Sequence, residues 1–286
     1  MMLIAESGST KTEWALVDIH GKEVMRFETS GFNVYIQKLE QIMHIMDHEV
    51  FNMMKGRRVD NIFFYGASCS SEENVNRMHA AISTFFPDAH IEVNHDILAA
   101  ARSLFGNGRG IAAILGTGSN SVVYDGKKIV ADVPSVGYVM GDEGSGGYLG
   151  KRLLRDYIYG ILPGGISRKF KEAYPLTKDE ILSAIYRGEN PNKWLASFSP
   201  FVSANIDEGY FKMIVKESFI DFFEYHIKPY HDYKSWPLAA VGSVGYYFRD
   251  ILEVVSEEYG FKLTDVIKKP VDGLVRFHLG QLGIKN

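Results

Sequence analysis

Cysteine is nearly absent. The 286-residue chain has one, Cys69, which excludes an internal disulfide framework and a metal site built from the chain's own cysteines. Long apolar runs are also missing. No stretch of about 18 uncharged apolar residues occurs, so no membrane-spanning helix is predicted. The N-terminal MMLIAES has no basic region followed by ~7–15 apolar residues, so it does not read as a secretory signal, and the expectation is a cytoplasmic protein. Neither sign of charge is in large excess. The 31 Lys and Arg against 35 Asp and Glu give −4, with the cations scattered, so no nucleic-acid partner is expected. The nine histidines form no H-E-x-x-H or similar ligand spacing; His44 and His48, four apart, fit the polar face of a helix. No Ser-His-Asp set can be assembled. What is present is ordinary globular composition, 46% hydrophobic and 23% charged, enough for one large domain or two modest ones.

The chain opens as strand, turn, strand, turn, strand: Met2 to Glu6, a small-residue turn Ser7-Gly8-Ser9-Thr10, Glu13 to Asp18, His20-Gly21, then Glu23 to Glu28. The same grammar returns about a hundred residues later. Gly110 to Leu115 is followed by Gly116-Thr117-Gly118-Ser119, Ser121 to Tyr124, Asp125-Gly126, and Lys128 to Val133. A repeated supersecondary unit predicts an α/β protein of two similar halves from an internal duplication. Between the copies, helix and strand signals alternate: helix Ile36 to Met54, strand Asn61 to Tyr65, helix Glu72 to Phe86, strand His90 to Asn94, helix Asp96 to Phe105. Gly106 to Gly110 is the expected hinge and boundary. Beyond it a mostly helical stretch carries a long helix, Glu208 to Ile227. Strand Pro237 to Val241 and helix Gly245 to Glu258 follow, then an apolar helical segment, Val271 to Leu282. The expected domains are 1–105, with 271–286 returning to it, and 106–270. The aromatic stripe Tyr210, Phe211, Phe219, Phe222, Phe223 reads as core or dimer contact.

Several constellations carry chemistry. Gly8-Ser9-Thr10 offers little side chain to keep its backbone N–H groups from a phosphate, and Lys11 adds a positive charge; alone, such a turn is as well read as a plain hairpin. The second turn, Gly116 to Ser119, at the equivalent place makes a pair of phosphate loops gripping a nucleotide from two lobes. Neither is a G-x-x-x-x-G-K-[ST] loop, and no complete G-x-G-x-x-G exists. Asp96, where a strand gives way to a helix, is either a helix cap or a general base accepting a substrate hydroxyl's proton. Gly141-Asp142-Glu143-Gly144-Ser145-Gly146-Gly147 sets two adjacent carboxylates among glycines. They suit sugar hydroxyls or hydrated Mg²⁺, or cap a helix from Tyr148 to Tyr159. Leu238 to Gly245 is strand, Gly242-Ser243 turn and helix, able to lie against a nucleotide or simply to connect.

In order along nearly the whole chain, these segments resemble the N-acetylglucosamine kinase and BadF/BadG-type ATPase family of the actin, hexokinase and Hsp70 superfamily. Glu6-Ser7-Gly8-Ser9-Thr10-Lys11-Thr12 resembles the D-G-G-G-T-K-T first phosphate loop, and Leu115 to Asn120 the second. Gly141-Asp142-Glu143-Gly144-Ser145 matches G-D-E-G-S, and Val241-Gly242-Ser243-Val244 the adenosine-side V-G-S segment. The resemblance implies two ribonuclease-H-like domains with an inter-domain cleft, ATP and Mg²⁺, and phosphoryl transfer to a hydroxyl of N-acetylglucosamine or a related amino sugar. Residue by residue it implies Asp96 as catalytic base. Asn33, Asp142 and Glu143 would contact the sugar, Glu6 would face the metal, and Gly8, Ser9, Thr10, Lys11, Gly116, Thr117, Gly118, Ser119, Gly242 and Ser243 would hold the nucleotide. The family's first-loop acid is Asp; Glu6 is one methylene longer, and Ser7 and Ser9 replace glycines. Two other readings follow. One is a non-catalytic sugar or nucleotide sensor. The other is an activator ATPase, which in the family needs two cysteines per chain for a shared iron–sulfur cluster, where this chain offers Cys69. A homodimer is the default oligomer.

Overall fold

The structure is a computed structural model describing residues 1–8, 11–261 and 263–284. The chain divides into two compact units. The first holds Met1–Gly108, Asp125–Ile129 and Lys269–Asn286; the second holds Arg109–Tyr124 and Val130–Lys268.

The first unit carries five strands: β1 (Met2–Ser7), β2 (Lys11–Val17), β3 (Glu23–Ser30), β4 (Asn61–Gly66) and β5 (His90–His95), in the order β3-β2-β1-β4-β5. β1 pairs antiparallel with β2 and parallel with β4, which is parallel to β5. Met2 to Ala5 are buried without alternation, as expected of a strand covered on both faces. Leu3, Ala5, Trp14, Leu16 and Phe64 face α1 (Leu39–Ile45) and α2 (Glu72–Phe85). Met2, Ile4, Val17, Phe63 and Tyr65 face α3 (Asp96–Phe105) and the C-terminal helix, Val271–Gln281. The first helix starts at Leu39 rather than Ile36. The Asn33 carbonyl accepts from the N–H groups of Ile36 and Gln37, closing a turn there that leaves Ile36 exposed. The helix then passes through a π-helical turn, Met46–Phe51, which buries Met46 and Val50.

The second unit repeats the plan with β6 (Gly110–Leu115), β7 (Ser119–Tyr124), β8 (Ile129–Asp132), β9 (Leu238–Val241) and β10 (Leu263–Ile267), in the order β8-β7-β6-β9-β10. Both sheets thus have the same ribonuclease-H-like order. β10 has no sequence signal, because its exposed Thr264 and Asp265 interrupt the apolar run; it pairs parallel with β9 and buries Leu263 and Val266. The helices here are α4 (Gly146–Ile158), α5 (Pro191–Ala196), α6 (Gly209–Phe222), α7 (Ser243–Tyr247) and α8 (Arg249–Glu258). The helix expected over Gly245 to Glu258 is therefore two, broken at Phe248, whose ring turns into the core. Further helices, among them Lys178–Arg187 with a Thr177/Glu180 capping box, enlarge this unit. Phe211, Phe219, Phe222 and Phe223 are buried in its core, with Tyr210 packed against it, so the stripe is core. No helix among the described residues is long and apolar enough to cross a membrane.

Candidate active site

In the first unit, the parallel pairing of β1, β4 and β5 sets their C-terminal ends side by side. Glu6 is in register with Tyr65 and Tyr65 with Asn94; Ser7 is in register with Gly66 and Gly66 with His95. Asp96 is the first residue of α3, and His95, not Asp96, occupies the cap position. Asp96 Oδ1 lies 3.1 Å from His95 Nε2. Burial pushes the Asp96 carboxyl above the usual carboxylate range, opposed by His95 and the Ile97 N–H. Burial, together with the negative charges of Asp96 and Glu13, pushes Glu6 up to about 8, and Lys269 acts the other way.

Glu13 faces Glu6 directly across the β1–β2 pair, a like-charged pairing that would destabilise a hairpin if left alone. Arg26 at 3.0 Å and Lys269 at 2.6 Å hold Glu13 from either side. Glu13 and Lys269 therefore shape the electrostatics around Glu6, and nothing in their local sequence signals it. Gly8 opens the first loop. Lys11 Nζ is 2.8 Å from Glu28 at the exposed mouth of the hairpin. Ser9 and Thr10 lie outside the described residues. Ser7 is an anchor for the loop: its Oγ accepts from Thr12 Oγ1 at 2.8 Å and from the Phe32 N–H at 3.1 Å. That bond fixes the Gly31-Phe32-Asn33 segment. Asn33 is half-buried, with Oδ1 accepting from the Tyr35 N–H. Ser68 ties the following turn to the β4–α2 connection, and Arg77 ties it to α2 itself.

In the second unit the Gly116 to Ser119 loop is braced from behind by the start of α4. Gly146 and Gly147 donate N–H bonds to the carbonyls of Gly116 and Thr117, at 2.8 and 3.0 Å. Gly116 donates to Gly118 O at 3.0 Å, leaving the Thr117 side chain exposed at the tip. Ser119 Oγ is buried without a hydrogen-bond partner among the described residues. β9, beside β6 in the sheet, delivers Gly242 against Leu115 and Gly116, and Ser243 starts α7 there.

The 141–147 segment is built mainly to support this loop. Asp142 is buried and left-handed, with φ 61°. Its Oδ1 accepts from the Ser119 N–H at 3.4 Å and its Oδ2 from Asn192 Nδ2 on α5 at 3.1 Å. Burial raises its pKa, and those two donors oppose the rise. Asp142 thus links three chain segments, and the cap of α4 is Ser145, whose Oγ accepts from the Tyr148 N–H. Neither Asp142 nor Glu143 caps the helix, because it starts at Gly146 and Ser145 holds the cap position. Glu143 instead borders a cavity of about 510 Å³ with Tyr148, Asp221, Tyr225 and His226. Asn192 and His226 carry no local signal: each becomes a partner of the 141–147 segment, Asn192 through Asp142 and His226 through Glu143, by contacts remote in sequence.

No protein-family model matches the sequence, and the search of curated proteins returns no match. Solved structures do match. A proposed N-acetylglucosamine kinase from Porphyromonas gingivalis is 37% identical, over 99% of this chain and 100% of that one, with a TM-score of 0.94. A second such protein, from Chromobacterium violaceum, is 17% identical over 96% and 98%, with a TM-score of 0.75. A glucokinase of the ROK family from Streptomyces griseus, solved with glucose and AMPPNP, is 14% identical over 96% and 97%, with a TM-score of 0.52; at these identities the last two show the fold alone. Two units of the same strand order define the fold class that the chain shares with these sugar kinases. Within that class, the chain belongs to the N-acetylglucosamine kinase family.

Proposed function

We propose that this protein is an ATP-dependent sugar kinase that transfers the γ-phosphoryl group to a hydroxyl of N-acetylglucosamine or a related amino sugar. The observation that carries the reading is the placement of Glu6 and Asp96 at the same end of one sheet, on β1 and just after β5 with β4 between them, close enough that the Asp96 charge acts on Glu6. It stands alongside membership of the family.

Asp96 takes the proton from the sugar hydroxyl as that oxygen attacks the γ-phosphorus and the bond to the β-phosphate breaks. His95, 3.1 Å from Oδ1, orients the carboxylate. Backbone N–H groups of the Gly8 and Gly116–Gly118 loops bind phosphate oxygens, with Ser9 and Thr10 assigned there by resemblance. The orphaned Ser119 hydroxyl and the bare backbone at Gly242-Ser243 suit the same ligand. Lys11 would exchange Glu28 for phosphate. Asn33 and Glu143 take sugar hydroxyls, while Asp142 acts through the loop it braces.

Among the described residues no group of three His, Cys, Asp or Glu is placed to hold a metal by itself. Mg²⁺ would therefore arrive on the ATP, where it neutralises developing phosphate charge. Glu6, raised to about 8 by burial first and by the charges of Asp96 and Glu13 second, would face the cation or its water shell. The activator-ATPase reading finds no support in Cys69, which is buried and whose thiol is pushed up to about 12 by desolvation.

A coupled ADP assay over N-acetylglucosamine, N-acetylmannosamine, glucosamine and glucose tests the proposal. Saturable ADP release driven by an amino sugar is expected. Sugar-independent hydrolysis would indicate an ATPase, and binding without turnover a sensor.

A further inference from the structure

Among the described residues the His226 side chain has one polar contact, Glu143. Nε2 lies 3.0 Å from Glu143 Oε2, and the imidazole is 5% exposed. Nδ1 is buried with no hydrogen-bond partner among the described residues. An unpaired buried nitrogen is costly, and a site needing only bulk would be filled by Phe or Leu. The ring is nonetheless fixed on several sides. It stacks on Phe222, centroids 5.0 Å apart and planes 18° from parallel. The His226 carbonyl accepts from Ser121 Oγ on β7 at 2.7 Å. The residue sits in a π-helical turn, Phe223–Ile227, that continues α6. The same helix bonds to the 141–147 segment and to the start of α4: Ser218 Oγ accepts from the Gly144 N–H at 3.1 Å, and Asp221 accepts from the Tyr148 hydroxyl at 2.6 Å.

We infer that His226 is a positioning residue for Glu143, holding its carboxylate toward the 510 Å³ cavity so that it can receive a sugar hydroxyl. The inference rests on the reading of Glu143 as a sugar-binding residue. Nε2–H donates to Oε2, which leaves Nδ1 as a bare lone pair, cheaper to bury than an unpaired N–H. Oε2 is then committed to His226, and Oε1 is the oxygen that meets the sugar. Without the histidine, Glu143 is free to rotate, and each sugar that binds must order it again.

The test is steady-state kinetics on His226→Phe and His226→Gln, each alone and with Glu143→Gln. The phenylalanine keeps the stack and removes the donor. It should raise KM for the amino sugar about 10- to 100-fold, the range of a hydrogen bond to a charged group, with KM for ATP within about 2-fold. Gln, which supplies an N–H at similar reach, should stay within about 5-fold of the unaltered protein. In the Glu143→Gln background the phenylalanine should add less than about 3-fold, since the two act as one unit. An unchanged sugar KM, or equal losses for both substrates that add fully to Glu143→Gln, overturns the inference. Should His226→Phe fail to fold, Gln against the shorter Asn decides: a retained KM with Gln and a raised one with Asn supports it, and equal values overturn it. If the unaltered protein shows no sugar-dependent ADP release, the parent reading falls and takes this one with it. Normal turnover with an unaffected His226→Phe removes this one alone.

Discussion

The Asp142 carboxylate fills the space that a side chain at Gly118 would need: a Cβ there would lie 2.9 Å from Oδ2. The second loop and the G-D-E-G-S segment are thus fitted to each other. Gly118→Ala must displace Asp142 from the Ser119 N–H and from Asn192. We expect a loss of about 1–3 kcal/mol in urea unfolding, typical of overpacking in a tight site, and reduced turnover from the shifted loop. Stability and turnover equal to those of the unaltered protein would refute the fit.

Asp96→Asn keeps the shape and removes the base. Turnover in the coupled ADP assay should fall about 10²- to 10⁴-fold, while ATP affinity by calorimetry stays nearly unchanged. Retained turnover would exclude Asp96 as the base.

Glu6 gives a pH signature. Its carboxyl titrates near 8 in the folded chain, against an ordinary value of 4.5. Between those values the native state holds a proton that the unfolded chain has released. Stability from this group is therefore complete below about 4.5 and drains away as pH rises through about 8. Denaturation of the protein and of Glu6→Gln from about pH 5 to about pH 9 should show the unaltered chain losing stability relative to the variant. Parallel curves would contradict this.

Gly242 has φ 128°, and a Cβ there would run into the Leu115 carbonyl. Gly242→Ala should cost more than about 2 kcal/mol, combining backbone strain with the clash. Gly209→Ala is the control: Gly209 begins α6 with open space around it, and the change should be neutral or stabilising by up to about 1 kcal/mol. Similar losses at both positions would mean that the close approach at Gly242 does not matter.

Much of the fold was legible because its signals are local. The two small-residue turns after apolar strands and the alternating helix and strand signals between them depend on neighbours in sequence. The breaks at Leu39 and Phe248 were not legible. One follows from a turn closed on the Asn33 carbonyl, and the other from the Phe248 ring seeking the core. β10 escaped for a related reason: a short strand with two buried side chains forms because β9 offers it a partner, and pairing partners are not written in a strand's own residues.

The sequence by itself determined the duplicated strand-turn grammar, the order of the glycine-rich segments and the presence of Glu6, Asp96, Asp142 and Glu143. Backbone freedom and strand propensity act over a few residues, so those features follow from composition and spacing. The tertiary structure alone decided what each carboxylate touches. It set Glu13 and Lys269 beside Glu6, turned Asp142 inward to Ser119 and Asn192, and brought His226 to Glu143 across 83 positions of chain. Charge, burial and hydrogen bonding act through space, and only folding fixes which groups are close.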